Sequence, residues 1–343
     1  MRSLKHLATR VLVGFLLAAA ATGCATNPDD KRAEEPVKPP TVTNAMELDE
    51  AITAGIDFGG NTLRDVKRLL KRRKQLDAAG AKVEARIAKE MTSLEHHQLI
   101  NAVNLYASTP KHPPADLFRS LISSGRPLAA QLGWQLVAMK PTPALAAAVD
   151  QELTRAVAET DEDAVLMPQM ANAVRAIQLK GAYTLVRQGL MSKGNEEFAT
   201  AMIALDPNRA SEDFMHYLAL AGAEELRQLT VTSVEMYTCI AILKHLQTVP
   251  PSLANVNASH LFLYAVSRNM GLAELAQNVL ESYIPANTEL AALLLSRHPI
   301  WVQMAYIEGA RRRMTPKIAL LLAALKTSTA ERDVASEIDT IQF

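Results

Sequence analysis

The chain has 343 residues, 36 basic and 36 acidic side chains for a net charge of zero, and a 49% hydrophobic content. Nucleic-acid binding needs a surplus of Lys and Arg to displace condensed counterions, so that class is excluded. The length suits one large or two ordinary domains with a sizeable apolar core, and two cysteines leave packing rather than disulfides to hold it.

At the start, Arg2, Lys5 and Arg10 form a basic leader, and Val11 to Ala21 is apolar but too short to span a bilayer. The tetrapeptide Ala21-Thr22-Gly23-Cys24 follows directly. It resembles the lipobox of bacterial lipoproteins, with Ala21 where Leu is commonest. The resemblance implies cleavage after Gly23, acylation of Cys24 by palmitate-type chains, and a mature protein held to a membrane of the cell envelope by lipid. Ala25 rather than Asp after the cysteine resembles an outer-membrane sorting signal of a Gram-negative cell, so the expected location there is the outer membrane, facing the periplasm; in a Gram-positive cell the anchor would be the plasma membrane. Without residues 1–23 the chain carries 33 basic against 36 acidic residues, a net charge of −3. No later stretch is apolar for long enough to cross a membrane. With Cys24 acylated, Cys239 has no internal disulfide partner, and its apolar setting from Met236 to Leu243 is that of a small core residue.

Residues 25–44 mix Pro, charge and small polar side chains and read as a disordered or polyproline-like tether, reaching roughly 60 Å at about 3.1 Å per residue. The expected division is a signal peptide at 1–23, the lipidated cysteine and tether at 24–44, and a helical-repeat domain at 45–343 with a C-terminal capping helix. From residue 45 onward, Ala- and Leu-rich segments of helical period alternate with Pro, Gly, Asn or Asp breaks, and hairpin signals are missing. The prediction is an all-α chain. Helices are expected near 62–76, 81–91, 93–107, 114–124, 126–139, 142–158, 164–178, 181–191, 196–205, 208–221, 232–247, 258–269, 271–282, 286–296, 299–313, 315–326 and 328–340. Thr142-Pro143, Asp206-Pro207 and Thr315-Pro316 each set a capping oxygen before a proline at the first helical position. Ser328 to Glu331 reads as a capping box.

So many short helices in succession cannot share one core, and stacking as antiparallel pairs predicts an α-solenoid. The expected hairpins include 126–139/142–158, 164–178/181–191 and 196–205/208–221. The segments Arg126–Leu136, Met170–Ile177 and Phe198–Leu205 resemble helices of HEAT-type repeats, a likeness extending over about residues 115–325. The tetratricopeptide pattern is the second choice.

The usual local signatures of chemistry, GxSxG, GxxxxGK[ST], HExxH and CxxC, are absent from the sequence, so no catalytic, metal or cofactor site is expected. Glu95-His96-His97 is the nearest metal-like cluster, but adjacent helical residues point about 100° apart. Glu281-Ser282-Tyr283-Ile284-Pro285 resembles the start of the Glu-Ser motif of lytic transglycosylases, which would make Glu281 the acid and base of a peptidoglycan-cleaving alternative. The Gly-rich continuation of that motif is replaced by an ordinary helix from Glu289 to Leu295, and Glu281 is expected as an exposed residue before a proline break.

Arg64, Lys67, Arg68, Lys71, Arg72, Arg73 and Lys74 crowd the basic helix 63–76, with Asp65 as the lone acid among them. They offer a second alternative, direct binding of anionic lipid or glycan, against the plainer reading of a solvated face balanced by acids on neighbouring helices. Arg311-Arg312-Arg313 falls in a last helical turn, where cations suit the macrodipole. Ile318 to Leu325 is apolar on every side and needs cover on more than one face; Val334, Ile338, Ile341 and Phe343 offer a terminal cap. Any remainder at Leu321 and Leu325 would be a docking or self-association patch, and Trp134 and Trp301 are interface candidates beside core filling. These features predict a lipid-anchored scaffold or adaptor whose helical surface binds another, unidentified envelope protein, with homo-oligomerisation left open.

Overall fold

The computed structural model describes residues 38–110, 114–158, 168–221, 234–249 and 259–341. The chain divides at Thr41, and residues 42–343 form one compact unit. The expected lipobox, Cys24 and most of the tether lie outside the described residues. Val42 already packs against the core, so the body begins three residues earlier than the sequence suggests.

Among the described residues the regular structure is entirely helical. A hairpin of α1 (Leu48–Phe58) and α2 (Gly60–Arg72) leads into α3 (Leu76–Glu90), α4 (His96–Ala107), α5 (Ala115–Ser123) and α6 (Pro127–Met139). Then follow α7 (Ala146–Ala158), α8 (Pro168–Ile177), α9 (Tyr183–Lys193), α10 (Glu196–Leu205), α11 (Pro207–Leu220) and α12 (Val234–Thr248). The last are α13 (Ser259–Ala265), α14 (Met270–Ser296), α15 (Ile300–Arg312), α16 (Pro316–Ser328) and α17 (Arg332–Asp339).

The even-numbered helices α4, α6, α8, α10, α12, α14 and α16 stand in one row, each against the next, with α1 at the head beside α4. Behind them α3 packs on α5, and α9, α11, α13, α15 and α17 follow one another in a second row. This two-layer stack is the predicted solenoid: each helix contacts mainly its neighbours in sequence and in the row. The hairpin register differs from the expected one. α6 packs chiefly on α5 and α8, where the edge of Phe118 meets Trp134 at 5.2 Å between ring centroids. The odd helices from α3 onward begin at residues 76, 115, 146, 183, 207, 259, 300 and 332, an irregular repeat.

The interior falls into two clusters that meet at α5 and α6. Leu117 and Leu121 of α5, with Leu132 and Leu136 of α6, close the first, which starts at Met46. Phe118, Trp134 and Val137 open the second, which continues to Ile338. One side-chain arrangement recurs in the second cluster. Ser211 Oγ lies 3.1 Å from His245 Nε2, with Phe214 edge-on to the imidazole at 5.6 Å. Ser259 Oγ lies 2.8 Å from His298 Nε2, with Phe262 edge-on at 6.1 Å. Each imidazole also meets a backbone carbonyl, of Pro207 or Ser259, and thereby ties successive helices together.

Helix starts follow capping chemistry, with two departures. Asp206 accepts from Arg209 N–H at 3.1 Å and Thr315 from Ile318 N–H at 3.2 Å, each with proline next in sequence. Thr142 does not cap: its Oγ1 is buried without a hydrogen-bond partner, and Pro143 opens a 3-10 turn ahead of α7. Ser328 ends α16, its hydroxyl donating to Ala324 O at 2.8 Å, while Glu331 is the N-cap of α17 and donates its N–H to Thr329 Oγ1. The break expected at Pro285 is present two residues later: within Met270–Ser296 two helical segments meet across a kink at Asn287, whose φ of −150° and ψ of 39° are not helical. A helix over 48–58 was not among those expected; it starts at Glu47, whose N–H bonds the Glu50 carboxylate at 3.3 Å.

Candidate functional site

The outer face of α2 is the most distinctive charged surface of the described residues. Leu63, Val66, Leu69 and Leu70 turn inward, and this fixes the opposite side of the helix to solvent. Gly60, Leu63, Arg64, Lys67, Arg68 and Lys71 line an open cleft of about 350 Å³ along it. The cations recur three and four residues apart, so they form one row. Within the described residues the row has one carboxylate partner, Asp65 on the same helix, 3.4 Å from Arg68. Among the described residues no ion pair joins this row to an acid of a neighbouring helix. Partial burial lowers the pKa of Lys67, a charge already short of solvation.

The seven cations do not act as one group. Helix α2 ends at Arg72, and Arg73 turns in, donating to Met46 O at 2.6 Å and to Asn44 O. Lys74 takes a left-handed backbone (φ 56°), which lets Gln75 N–H bond Leu70 O at 2.9 Å and close the helix. Arg73 thus anchors the start of the body, while Arg64, Lys67, Arg68 and Lys71 face out.

A second cleft, of about 320 Å³, lies between the turns before α9 and α11 and is lined by Lys180, Tyr183, Leu205, Asp206, Pro207 and Arg209. The Arg209 guanidinium stacks over Tyr183 at 4.4 Å, and Tyr183 Oη donates to Asp213 at 2.9 Å. Burial, then the Asp213 bond and charge, raises the tyrosine pKa. Arg209 lies over the Tyr183 ring and the Asp206 carboxylate accepts from the Arg209 backbone N–H, and no sequence motif announced the cleft.

Glu281 is not the exposed residue expected. Its side chain is 20% exposed, its Oε1 is buried without a hydrogen bond, and the Arg313 guanidinium stands 4.0 Å away. Arg313 also donates to Asn278 Oδ1 at 2.7 Å and Gln277 Oε1 at 3.3 Å, clamping α15 to α14. Tyr306, fully buried alongside, has its pKa raised by burial and then by the Glu281 charge. Arg313→Ala should lower stability by about 1 kcal/mol, through lost hydrogen bonds and an isolated carboxylate. Adding Glu281→Gln should recover part of that loss in a urea double-mutant cycle; strict additivity of the two changes would contradict the pairing.

The arginine run is likewise more than a dipole partner: Arg311 pairs with Glu337 of α17 and Arg312 with Glu308 at 3.1 Å. Of the apolar interface candidates, Trp134, Leu321 and Leu325 are buried and belong to the core. Leu321 and Leu325 share an inward stripe with Ile318 and Leu322, so the all-round apolar helix is covered on that side, while Leu320, 58% exposed, and Ala323 face out. Trp301, at the start of α15, is 38% exposed. Cys239 is fully buried, its thiol pKa pushed up to about 12 by desolvation. His96 and His97 are exposed at the start of α4, His97 beside Asp57 O and the Glu95 carboxylate. Among the described residues no three His, Cys, Asp or Glu side chains gather as a metal set, and no helix is long and apolar enough to cross a membrane.

The chain matches no family model, no curated protein and no solved structure.

Proposed function

We propose that this protein is a lipid-anchored scaffold or adaptor of the bacterial cell envelope, acylated at Cys24 and carrying its helical array into the periplasm. The observation that carries the reading is the two-row helical stack, whose exposed large apolar side chains recur near its C-terminal end. Leu290, Leu293, Ile300, Trp301 and Leu320 are exposed there, although the helices that bear them have other apolar residues packed inside. Stacked repeats present long surfaces to partners, and partly exposed aromatic side chains are frequent anchors of such contacts. The sequence supports the anchor through the lipobox-like Ala21-Thr22-Gly23-Cys24 and the Pro-rich stretch behind it.

In this reading the acyl chains confine the array to one membrane, the tether sets its reach, and confinement raises the local concentration of partners on that membrane. Cys24→Ala is expected to shift the protein from the membrane to the soluble fraction; continued sedimentation with membranes would defeat the anchor. A photo-crosslinking residue at Trp301 or Leu320 should capture one envelope protein in cells, while the same residue at exposed Lys89 should not. Capture of the chain by itself would replace the adaptor with a homo-oligomer.

A further inference from the structure

We propose that the outer face of α2 is the membrane-facing surface of the body, with Arg64, Lys67, Arg68 and Lys71 adsorbing to anionic phospholipid headgroups of the leaflet that carries the acyl anchor. The tether step of this inference rests on acylation of Cys24; the charge step does not.

The charge step begins with the row itself. Among the described residues, four cations on one helical face have a single carboxylate within ion-pair distance, Asp65. The full chain is neutral, with 36 basic and 36 acidic residues, so everything outside these four cations sums to −4. An anionic surface therefore attracts this face and repels the remainder, which selects one orientation. The mode of contact follows from what lies beneath. The apolar side chains of α2 are consumed by the core, so the helix cannot roll its apolar face into the acyl region as a free amphipathic helix does. Contact is left to the charges, and it must weaken steeply with salt, since the Debye length falls to about 8 Å at physiological ionic strength. The cleft is also open and built on a single helix, which fits a laterally mobile layer of headgroups better than one peptide or sugar chain needing enclosure.

The tether step concerns where the chain joins the body. Arg73, the residue just beyond α2, holds the carbonyls of Asn44 and Met46. The segment that begins at Cys24 thus enters the body at the C-terminal end of this same helix. Helix α2 has 13 residues, about 20 Å at 1.5 Å per residue, so all four cations stand within one helix length of that root. The tether of roughly 20 residues between Cys24 and this root reaches at most about 60 Å, at about 3.1 Å per residue. An acyl anchor at its far end keeps the basic face within reach of headgroups and makes adsorption an intramolecular event.

The test uses the chain from Ala25 onward, which carries no acyl chain and keeps every described core residue, since both clusters lie within residues 42–341. Sedimentation is measured with phosphatidylcholine vesicles, with and without phosphatidylglycerol, at low and high salt. The expected result is binding to the anionic vesicles alone, weakened at least tenfold by salt. Replacing Arg64, Lys67, Arg68 and Lys71 together by Gln, and separately by Glu, should weaken it at least tenfold, with circular dichroism unchanged. Glu at four other exposed cations, Lys89, Arg297, Lys317 and Arg332, should leave most of the binding in place. Equal binding to neutral vesicles, survival of binding in the Gln variant, or capture by acidic glycan without vesicle binding would each overturn the proposal. Fractionation of Cys24→Ala cells reads the anchor independently, so failure of one reading is distinguishable from failure of the other.

Discussion

Gly59→Ala is expected to cost about 3 kcal/mol and to loosen the first hairpin before any other part of the body. Gly59 is the one residue between α1 and α2; its N–H bonds Gly55 O at 3.2 Å, and its carbonyl accepts from Leu63 at 2.9 Å. It does both in a backbone conformation, φ 58° and ψ −152°, that a side chain makes costly by about 1–3 kcal/mol. A Cβ there would also sit 2.5 Å from Asn101 Nδ2 and 2.8 Å from its Oδ1. That amide is not free to swing away, because it donates to Ile56 O at 2.8 Å and ties α4 to the end of α1; losing the bond adds about 1 kcal/mol. Gly60 supplies the control. Its φ is 47°, but a Cβ there would meet nothing within 4 Å, so Gly60→Ala should carry the backbone cost alone. Denaturant midpoints and amide exchange over residues 48–72 read the difference. Equal losses from the two substitutions would dismiss Asn101 as the wedge.

That corner illustrates which features the sequence exposes and which it conceals. Helical content is written in period and punctuation: the segment 196–205 has the bounds expected, and Asp206-Pro207 and Thr315-Pro316 start helices as their chemistry requires. Pairing is not written locally. A helix in a two-row stack is apolar toward a hairpin mate and toward its row neighbours, so the pattern of α6 fits α5 as well as α7. Only the fit of Trp134 against Phe118 decides. Proline marks a break without fixing its place, since the two helical segments of α14 meet across a kink at Asn287, two residues after Pro285. Charge is least legible of all. Arg73 and Lys71 are near neighbours in sequence, yet one is spent on backbone carbonyls and the other is left facing water. Sequence marked the α2 cations as a group; direction of side chain divided them. Conversely, Leu321 and Leu325 could have been assigned inward from spacing alone, because with Ile318 and Leu322 they fall at the three- and four-residue intervals of a buried stripe.

Trp134→Ala should be the more damaging of the two tryptophan substitutions, costing about 3–5 kcal/mol. The side chain is 2% exposed and fills the place where the second cluster begins, on a helix whose Leu132 and Leu136 belong to the first. In a stack held by nearest-neighbour contacts, such a loss falls on one junction rather than on the whole. The N-terminal helices α1–α6 would then be coupled to the rest mainly through α6 and α8, and a single unfolding transition should separate into two by calorimetry. Trp301→Ala, at a 38% exposed side chain, should cost about 1 kcal/mol or less and keep the transition as it was. The chain has two tryptophans, so each variant also isolates the emission of the other: blue-shifted from Trp134, red-shifted from Trp301. If Trp134→Ala barely moved the midpoint while Trp301→Ala unfolded the protein, the buried and exposed assignments would have to be exchanged. The surface offered to a partner near residues 290–320 would then lose its aromatic anchor.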